Sequence, residues 1–177
     1  RLIDNGLGTV DINDLAFPDV DTGWVATDDG FFQTGNAGQS WTRVMLGELS
    51  TDWDTVVFVD SQLGFASGSA GNYRTADGGQ NWQSIMIGDG NELPYDIVFT
   101  DARTGYAATD RGVFRTTDAG LNWTPFSDGL FSQRIRALAF PTADRGYAAT
   151  LEGGVFFIDL GSEVLFSDGF EDAAISR

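Results

Sequence analysis

Short apolar runs alternate along the whole chain with turns rich in Gly, Asp and Asn. No window carries apolar spacing at 3.6 residues long enough for an ordinary helix. The runs recur. Phe17, Phe58, Phe99 and Phe140 stand 41 residues apart, as do Gly23, Gly64, Gly105 and Gly146. An aromatic follows each of those glycines: Trp24, Phe65, Tyr106 and Tyr147. A second column, Gly30, Gly71, Gly112 and Gly153, keeps the same interval. Four copies without an insertion mean four copies of one supersecondary unit. In the third copy the runs are Asp96–Thr100, Gly105–Thr109, Val113–Thr116 and the stretch after Trp123. They are rich in Val, Phe, Tyr and Thr, which favour strands. Four short antiparallel strands in about 40 residues are the size of a propeller blade. The WD-type blade needs a Gly-His pair, and the chain has no His.

Three of the turns are nearly identical: TGNAGQSW (34–41), TADGGQNW (75–82) and TTDAGLNW (116–123). They align Thr34, Asn36, Gly38 and Trp41 with Thr75, Asp77, Gly79 and Trp82, and with Thr116, Asp118, Gly120 and Trp123. The carboxylate accepts backbone N–H groups across a tight hairpin, the Gly takes a positive φ, and the Trp packs. These residues are therefore read as structural braces and not as catalytic groups. Asn36 still offers an acceptor. In the fourth register, FIDLGSEV (157–164) keeps Asp159 and Gly161 but has lost the Thr and the Trp.

The predicted fold is all-β: a β-propeller of four-stranded antiparallel blades, with about four blades of 41 residues. The segments are 1–8 (outer strand of a preceding blade), 9–49, 50–90, 91–131, 132–168 (a blade with a degenerate turn) and 169–177 (an acidic tail). Position zero falls 41 residues before Trp41, so Arg1–Asp4 matches an outer strand. With Val164–Ser167 that makes five outer strands against four sets of inner ones. This register predicts an incomplete arc of a larger propeller of about six to eight blades. A compact four-bladed ring is the alternative. An open arc leaves sheet faces uncovered, which predicts either further blades of the same chain or self-association.

Composition narrows the chemistry. The 177 residues carry 26 Asp+Glu against 10 basic residues, all Arg, for a formal charge of −16. That field repels phosphate backbones and anionic lipid, so no nucleic-acid partner is expected. The absence of Cys and His removes thiolate and imidazole metal sites and His-based triads. Asp19, Asp21 and Asp89 lie in loops, but no stretch fits the twelve-residue calcium loop. No metal and no cofactor are expected. No apolar run approaches the length needed to span a bilayer. An acidic surface without Lys or Cys suits a secreted or periplasmic bacterial protein.

The repeated turn resembles the Asp-box (BNR) repeat of sialidases, sortilin-type receptors and some glycanases. The fuller pattern over 99–123, F-x-D-x-x-x-G-Y-A-A-T-x-x-G-V-F-R-T-T-D-A-G-L-N-W, resembles the photosystem II assembly/stability factor-like propellers. The resemblance covers about residues 9–166. It implies a propeller, and it implies that binding or catalysis uses the face opposite the boxes, around the channel mouth.

The loops of that face diverge between copies. The columns before the innermost strands read Asp11, Asp52, Leu93, Arg134; then Ile12, Trp53, Pro94, Ile135; then Asn13, Asp54, Tyr95, Arg136. The second–third loops add Asp28, Asp29, Asp110, Arg111 and Glu152. The candidate binding residues are Asp52, Trp53, Asp54, Tyr95, Arg111, Arg134 and Arg136, with a protein or glycan as ligand. No catalytic residue is assigned. The leading expectation is a non-catalytic binding scaffold. The competing one is a glycoside hydrolase, sialidase-like or glycanase-like, completed by further blades. For that role Asp52 and Asp54 stand at i and i+2 on one strand, about 7 Å apart. Arg111, Arg134, Arg136 and Tyr95 would supply cations and a phenol, but the arginine motif near the start of sialidases is absent. A photosystem assembly role is a third expectation, by resemblance.

Overall fold

The computed structural model describes residues 6–47, 52–90, 92–126 and 134–161, and the backbone of 164–166. The expected strand at Arg1–Asp4 and the tail at 169–177 lie outside the described residues. Among the described residues sixteen strands and no helix form four antiparallel sheets of four strands each, joined in chain order. Blade 1 holds β1 (Ile12–Ala16), β2 (Gly23–Thr27), β3 (Gly30–Thr34) and β4 (Thr42–Val44). Blade 2 holds β5 (Trp53–Phe58), β6 (Gly64–Gly68), β7 (Gly71–Thr75) and β8 (Gln83–Ile85). Blade 3 holds β9 (Asp96–Phe99), β10 (Gly105–Thr109), β11 (Gly112–Thr116) and β12 (Thr124–Phe126). Blade 4 holds β13 (Ile135–Thr142), β14 (Arg145–Thr150), β15 (Val155–Asp159) and β16 (Val164–Phe166). The chain divides into two compact units, Arg1–Leu93 and Pro94–Arg177. Each unit therefore contains two blades.

The two glycine columns have different physical causes. A Cβ built at Gly23, Gly64, Gly105 or Gly146 would stand 2.7 Å or less from the ring of Phe17, Phe58, Phe99 or Phe140. The ring lies flat over the backbone of the next strand, and only hydrogen fits beneath it. In the second column the cause is conformation. Gly71 and Gly112 close the central hairpins at φ +105° and +111°, which a side chain opposes.

The same phenylalanines receive the turn tryptophans edge-on. Phe17–Trp41, Phe58–Trp82 and Phe99–Trp123 have centroids 6.0, 6.0 and 6.3 Å apart, at interplanar angles of 85°, 84° and 83°. Within each unit the ring also stacks on the aromatic of the preceding blade: Trp24 on Phe58 at 6.0 Å and Tyr106 on Phe140 at 4.6 Å. These edge and stacked geometries add to the area that the rings bury. In the first unit Trp24, Ala26 and Phe31 of blade 1 meet Trp53, Val56 and Ala66 of blade 2. In the second, Tyr106, Ala108 and Val113 of blade 3 meet Ile135, Leu138, Ala148 and Ile158 of blade 4. Each of the larger aliphatic and phenyl side chains among them contributes about 1.5–3 kcal/mol when fully buried.

A carboxylate also crosses each of these junctions. Asp14 Oδ2 accepts the Val56 N–H at 2.9 Å, and Asp96 Oδ2 accepts the Leu138 N–H at 2.8 Å. Both donors belong to the innermost strand of the following blade, which is held there by a bond other than packing.

Candidate functional site

The box turns occupy the same end of blades 1, 2 and 3. Thr75 Oγ1 donates to Asp77 Oδ1 at 2.9 Å and accepts the Gly79 N–H at 2.8 Å. Asp77 Oδ1 accepts the Asn81 N–H at 2.9 Å, and its Oδ2 accepts the Asn81 side-chain amide at 2.7 Å. Blade 3 repeats this with Thr116, Asp118, Gly120 and Asn122, at 2.8, 2.9, 2.9 and 2.7 Å. In blade 1 the backbone bond keeps its direction and the side-chain bond is reversed. Asn36 Oδ1 accepts the Ser40 N–H at 2.9 Å, and its own amide donates to the Ser40 hydroxyl at 2.9 Å. Donor and acceptor have changed places as a pair. Thr34 still accepts the Gly38 N–H at 3.0 Å.

These bonds stabilise the ionised carboxylates. The Asn122 side-chain amide, followed by the Asn122 N–H, holds Asp118 down at a pKa of about 2. The Asn81 amide lowers Asp77 in the same way. The box glycine has a further reason in blade 2, where a Cβ at Gly79 would run into the Trp24 indole.

Blade 4 departs through its register. In blade 3, Tyr106 stands opposite Arg115 and Gly105 opposite Thr116. In blade 4, Tyr147 stands opposite Phe157 and Gly146 opposite Ile158, one residue later than the 41-residue period gives. The hairpin after Thr150 holds one more residue. Buried Ile158 therefore fills the place of the box Thr. The Gly161 N–H, without that hydroxyl, donates to Asp159 Oδ1 at 3.0 Å.

A second carboxylate column braces the first–second loops on this end. Asp19 Oδ1 accepts the Thr22 and Asp21 N–H groups at 2.7 and 2.9 Å. Asp60 does the same for Leu63 and Gln62, at 2.8 and 2.7 Å. Asp101 does so for Arg103 and Thr104, at 2.7 and 2.8 Å. All three carboxyls are lowered, chiefly by these backbone donors. Among the described residues no three His, Cys, Asp or Glu side chains gather as a metal would require.

The opposite end carries the divergent columns. In blade 1 the rim is tied by Asp28, whose Oδ1 accepts the Asp11 N–H at 3.0 Å while its N–H donates to Asp11 O at 3.2 Å. The Asn13 amide donates to Trp53 O at 2.9 Å, reaching blade 2. At the start of β5 the side chains alternate: Asp52, just before the strand, and Asp54, within it, are exposed, whereas Trp53 is 1 % exposed. Its ring packs against Phe31 at 5.2 Å and Tyr73 at 5.7 Å, inside the junction. Of the expected trio, the two carboxylates reach solvent and the indole does not.

In the second unit the structure brings three expected residues together. The Arg136 guanidinium lies over the Tyr95 ring, with Cζ 4.4 Å from its centroid. Arg134 hydrogen-bonds the Tyr95 side chain, and that contact raises its pKa above the usual value, with smaller help from Glu152 and Asp110. Both arginines are exposed and Tyr95 is half-buried. The Leu151 N–H donates to Arg134 O at 2.8 Å, so the second–third loop of blade 4 is fastened beside the pair. Arg111 lies in the corresponding loop of blade 3, where its N–H donates to Thr109 Oγ1 at 3.1 Å. The result is a phenol ring with one solvent-facing guanidinium over its face and a second bonded to the Tyr95 side chain, with Glu152 and Asp110 acting on that second arginine. Such a group can stack on a flat ligand surface and pair with a carboxylate.

These sheets, junctions and boxes define a β-propeller protein. No protein-family model and no curated protein matches the chain. Solved structures do match it. A structure of YCF48 bound to a D1 peptide superposes with a TM-score of 0.58 and 21 % identity, over 92 % of this chain and 70 % of that one. The extracellular domain of the putative hybrid two-component system BT3049 from B. thetaiotaomicron gives 0.76 and 16 %, over 95 % of this chain and 26 % of that one. An ancestral GH74 enzyme gives 0.73 and 17 %, over 89 % and 25 %. Against the latter two the chain spans about a quarter of their length. At such identities the likeness establishes the propeller fold alone. Among the described residues no helix is long and apolar enough to cross a membrane.

Proposed function

We propose that the chain is a non-catalytic β-propeller binding module of a secreted or periplasmic protein, engaging a protein segment at the rim opposite the boxes. The observation that carries this reading is the Tyr95 ring beneath Arg136 and bonded to Arg134. Exposed arginines beside an aromatic are enriched where proteins grip one another. A propeller of this fold bound to a peptide supports the same reading, and a photosystem assembly role is the narrower version of it. The test is titration of a fluorescent peptide panel, varied in acidic and aromatic content, against the wild type and Arg134→Ala, Arg136→Ala and Tyr95→Phe. We expect peptides that bind the wild type to lose tenfold or more on loss of either arginine, at an unchanged melting temperature. Equal affinity in all four proteins rules the site out.

A glycan-binding or glycoside hydrolase reading rests on Asp52 and Asp54, the two exposed carboxylates that flank Trp53 at the start of β5. Hydrolysis of aryl-glycosides that disappears in Asp52→Asn/Asp54→Asn would replace the scaffold reading with this one.

A further inference from the structure

The rim pair of the second unit stands on a weak point of its own strand. β13 shifts register between Ile135 and Ala137, so Arg136 has no partner in the β13–β14 ladder. A bulge of this kind re-aims one side chain and gives up its hold on the neighbouring strand. What keeps Arg136 over Tyr95 must then come from its flanks and from β9. Ile135 and Leu138 are buried on either side of it. From β9, Asp96 Oδ2 accepts the Leu138 N–H at 2.8 Å, two residues beyond the bulge. Asp96 follows Tyr95 directly, and the Tyr95 N–H is fastened to Ala108 O at 2.8 Å. Two neighbouring side chains of one blade thus meet the next at two points, the ring under Arg136 and the carboxylate at Leu138.

The first unit makes the same clamp. β5 shifts register between Trp53 and Thr55, at Asp54, and Asp14 Oδ2 holds the Val56 N–H two residues further on. The residue before that carboxylate is Asn13, whose amide closes onto Trp53 O at 2.9 Å. There both points grip backbone. In the second unit Tyr95 stands in the place of Asn13 and offers a ring in place of an amide. The point beside the bulge has become a ring–guanidinium contact at an exposed rim, while the carboxylate point is kept.

We infer that Asp96 is a positioning residue of the rim site: its bond to the Leu138 N–H holds the bulge of β13 against β9 and so keeps Arg136 over Tyr95. This rests on the reading of the rim as a binding site. Asp96 acts through Arg136. It spares a ligand the cost of ordering that long side chain, which is how a preorganised contact gains affinity.

Two readouts on the full chain test this. Ring-current shifts of the Arg136 side-chain protons, measured by NMR, report the contact without any ligand, and Tyr95→Leu gives their value with the ring removed. Asp96→Ala should move these signals most of the way to that value. Asp14→Ala cuts the equivalent tie in the other unit and should leave them in place. The second readout is affinity for the fluorescent peptides that bind the wild type. Asp96→Ala should weaken it about tenfold. Asp96→Ala/Arg136→Ala should bind no worse than Arg136→Ala alone, because one residue acts through the other. Asp96→Asn keeps an oxygen in place and should restore most of both readouts. If Asp96→Ala fails to fold, Asp96→Ser, whose hydroxyl stops short of Leu138, carries the same comparison. Unmoved Arg136 signals overturn the inference, and so does a fully additive loss in the double variant. If peptides lose affinity on Arg134→Ala but bind Asp96→Ala like the wild type, the inference falls and the rim reading stands. If no peptide binds the wild type, the rim reading falls, and the Arg136 signals alone decide for or against the clamp.

Discussion

The Asp14 carboxylate accepts the backbone N–H of Val56 at 2.9 Å, one blade further along the chain. Asp96 does the same for Leu138 at 2.8 Å in the other unit. The intervening copies of this column hold Thr55 and Ala137. Each unit therefore carries one such tie, at its own junction, between two innermost strands that share no ladder.

Cutting the tie should loosen a junction and leave the hairpins intact. Asp14→Ala leaves a part-buried N–H without its charged acceptor, at a cost of about 1.5–3 kcal/mol. Asp14→Asn keeps an oxygen in place and should lose less. Urea midpoints of the two variants and of Asp96→Ala measure this. A zero effect for both alanine variants would show that packing alone holds the junctions.

The boxes should be acid-sensitive. Asp118 is depressed to about 2 in the folded chain, first by the Asn122 amide. A carboxyl depressed on folding adds stability that is fully present above its ordinary value near 4, and that stability goes as pH falls through the folded value. Asp77, Asp19, Asp60 and Asp101 act in the same direction. Thermal scans should therefore show the steepest loss between about pH 4 and pH 2. Asp118→Asn should flatten that limb, and Asp118→Ala should cost about 1 kcal/mol at pH 7 with ligand affinity unchanged. An equal melting temperature with lost binding would assign the box a functional role instead.

The seat beneath Phe99 should tolerate no methyl group. Gly105→Ala places a carbon 2.7 Å from the ring and should destabilise by about 1–3 kcal/mol. Phe99→Leu/Gly105→Ala should recover part of that loss, since the smaller side chain vacates the space. A double-mutant cycle measures the coupling, and strict additivity would refute direct contact.

Local periodicity made the blades legible. Strand pairing, the two-residue hairpins and the box are all short-range, so a period of 41 carries them entire. The Thr of the box was visible, but its double role, donor to the carboxylate and acceptor from Gly, needed the geometry. Trp53 lies between two exposed carboxylates in a strand, and its column reads Ile12, Trp53, Pro94 and Ile135. That uniform apolarity was the signal that it points inward, and the contrast of its neighbours masked it. Asp14 and Asp96 recur in alternate copies, a spacing of 82 that a search at 41 registers as variation. The slip in blade 4 carries on into β16, where Phe157 pairs with Phe166 as Arg115 pairs with Thr124, so no later column among the described residues announces it.

The ring-over-glycine seats have a consequence for recombination. Phe17 and Gly23 lie in one blade, as do Phe58 and Gly64, Phe99 and Gly105, and Phe140 and Gly146. A crossover placed between a box tryptophan and the next innermost strand moves each ring together with its seat. One placed inside the first hairpin separates them and pairs a ring with whatever residue the new parent brings. Blades of this type are thus exchangeable units with a defined seam, and chimeras cut at that seam should retain their order while those cut between a phenylalanine and its glycine need not.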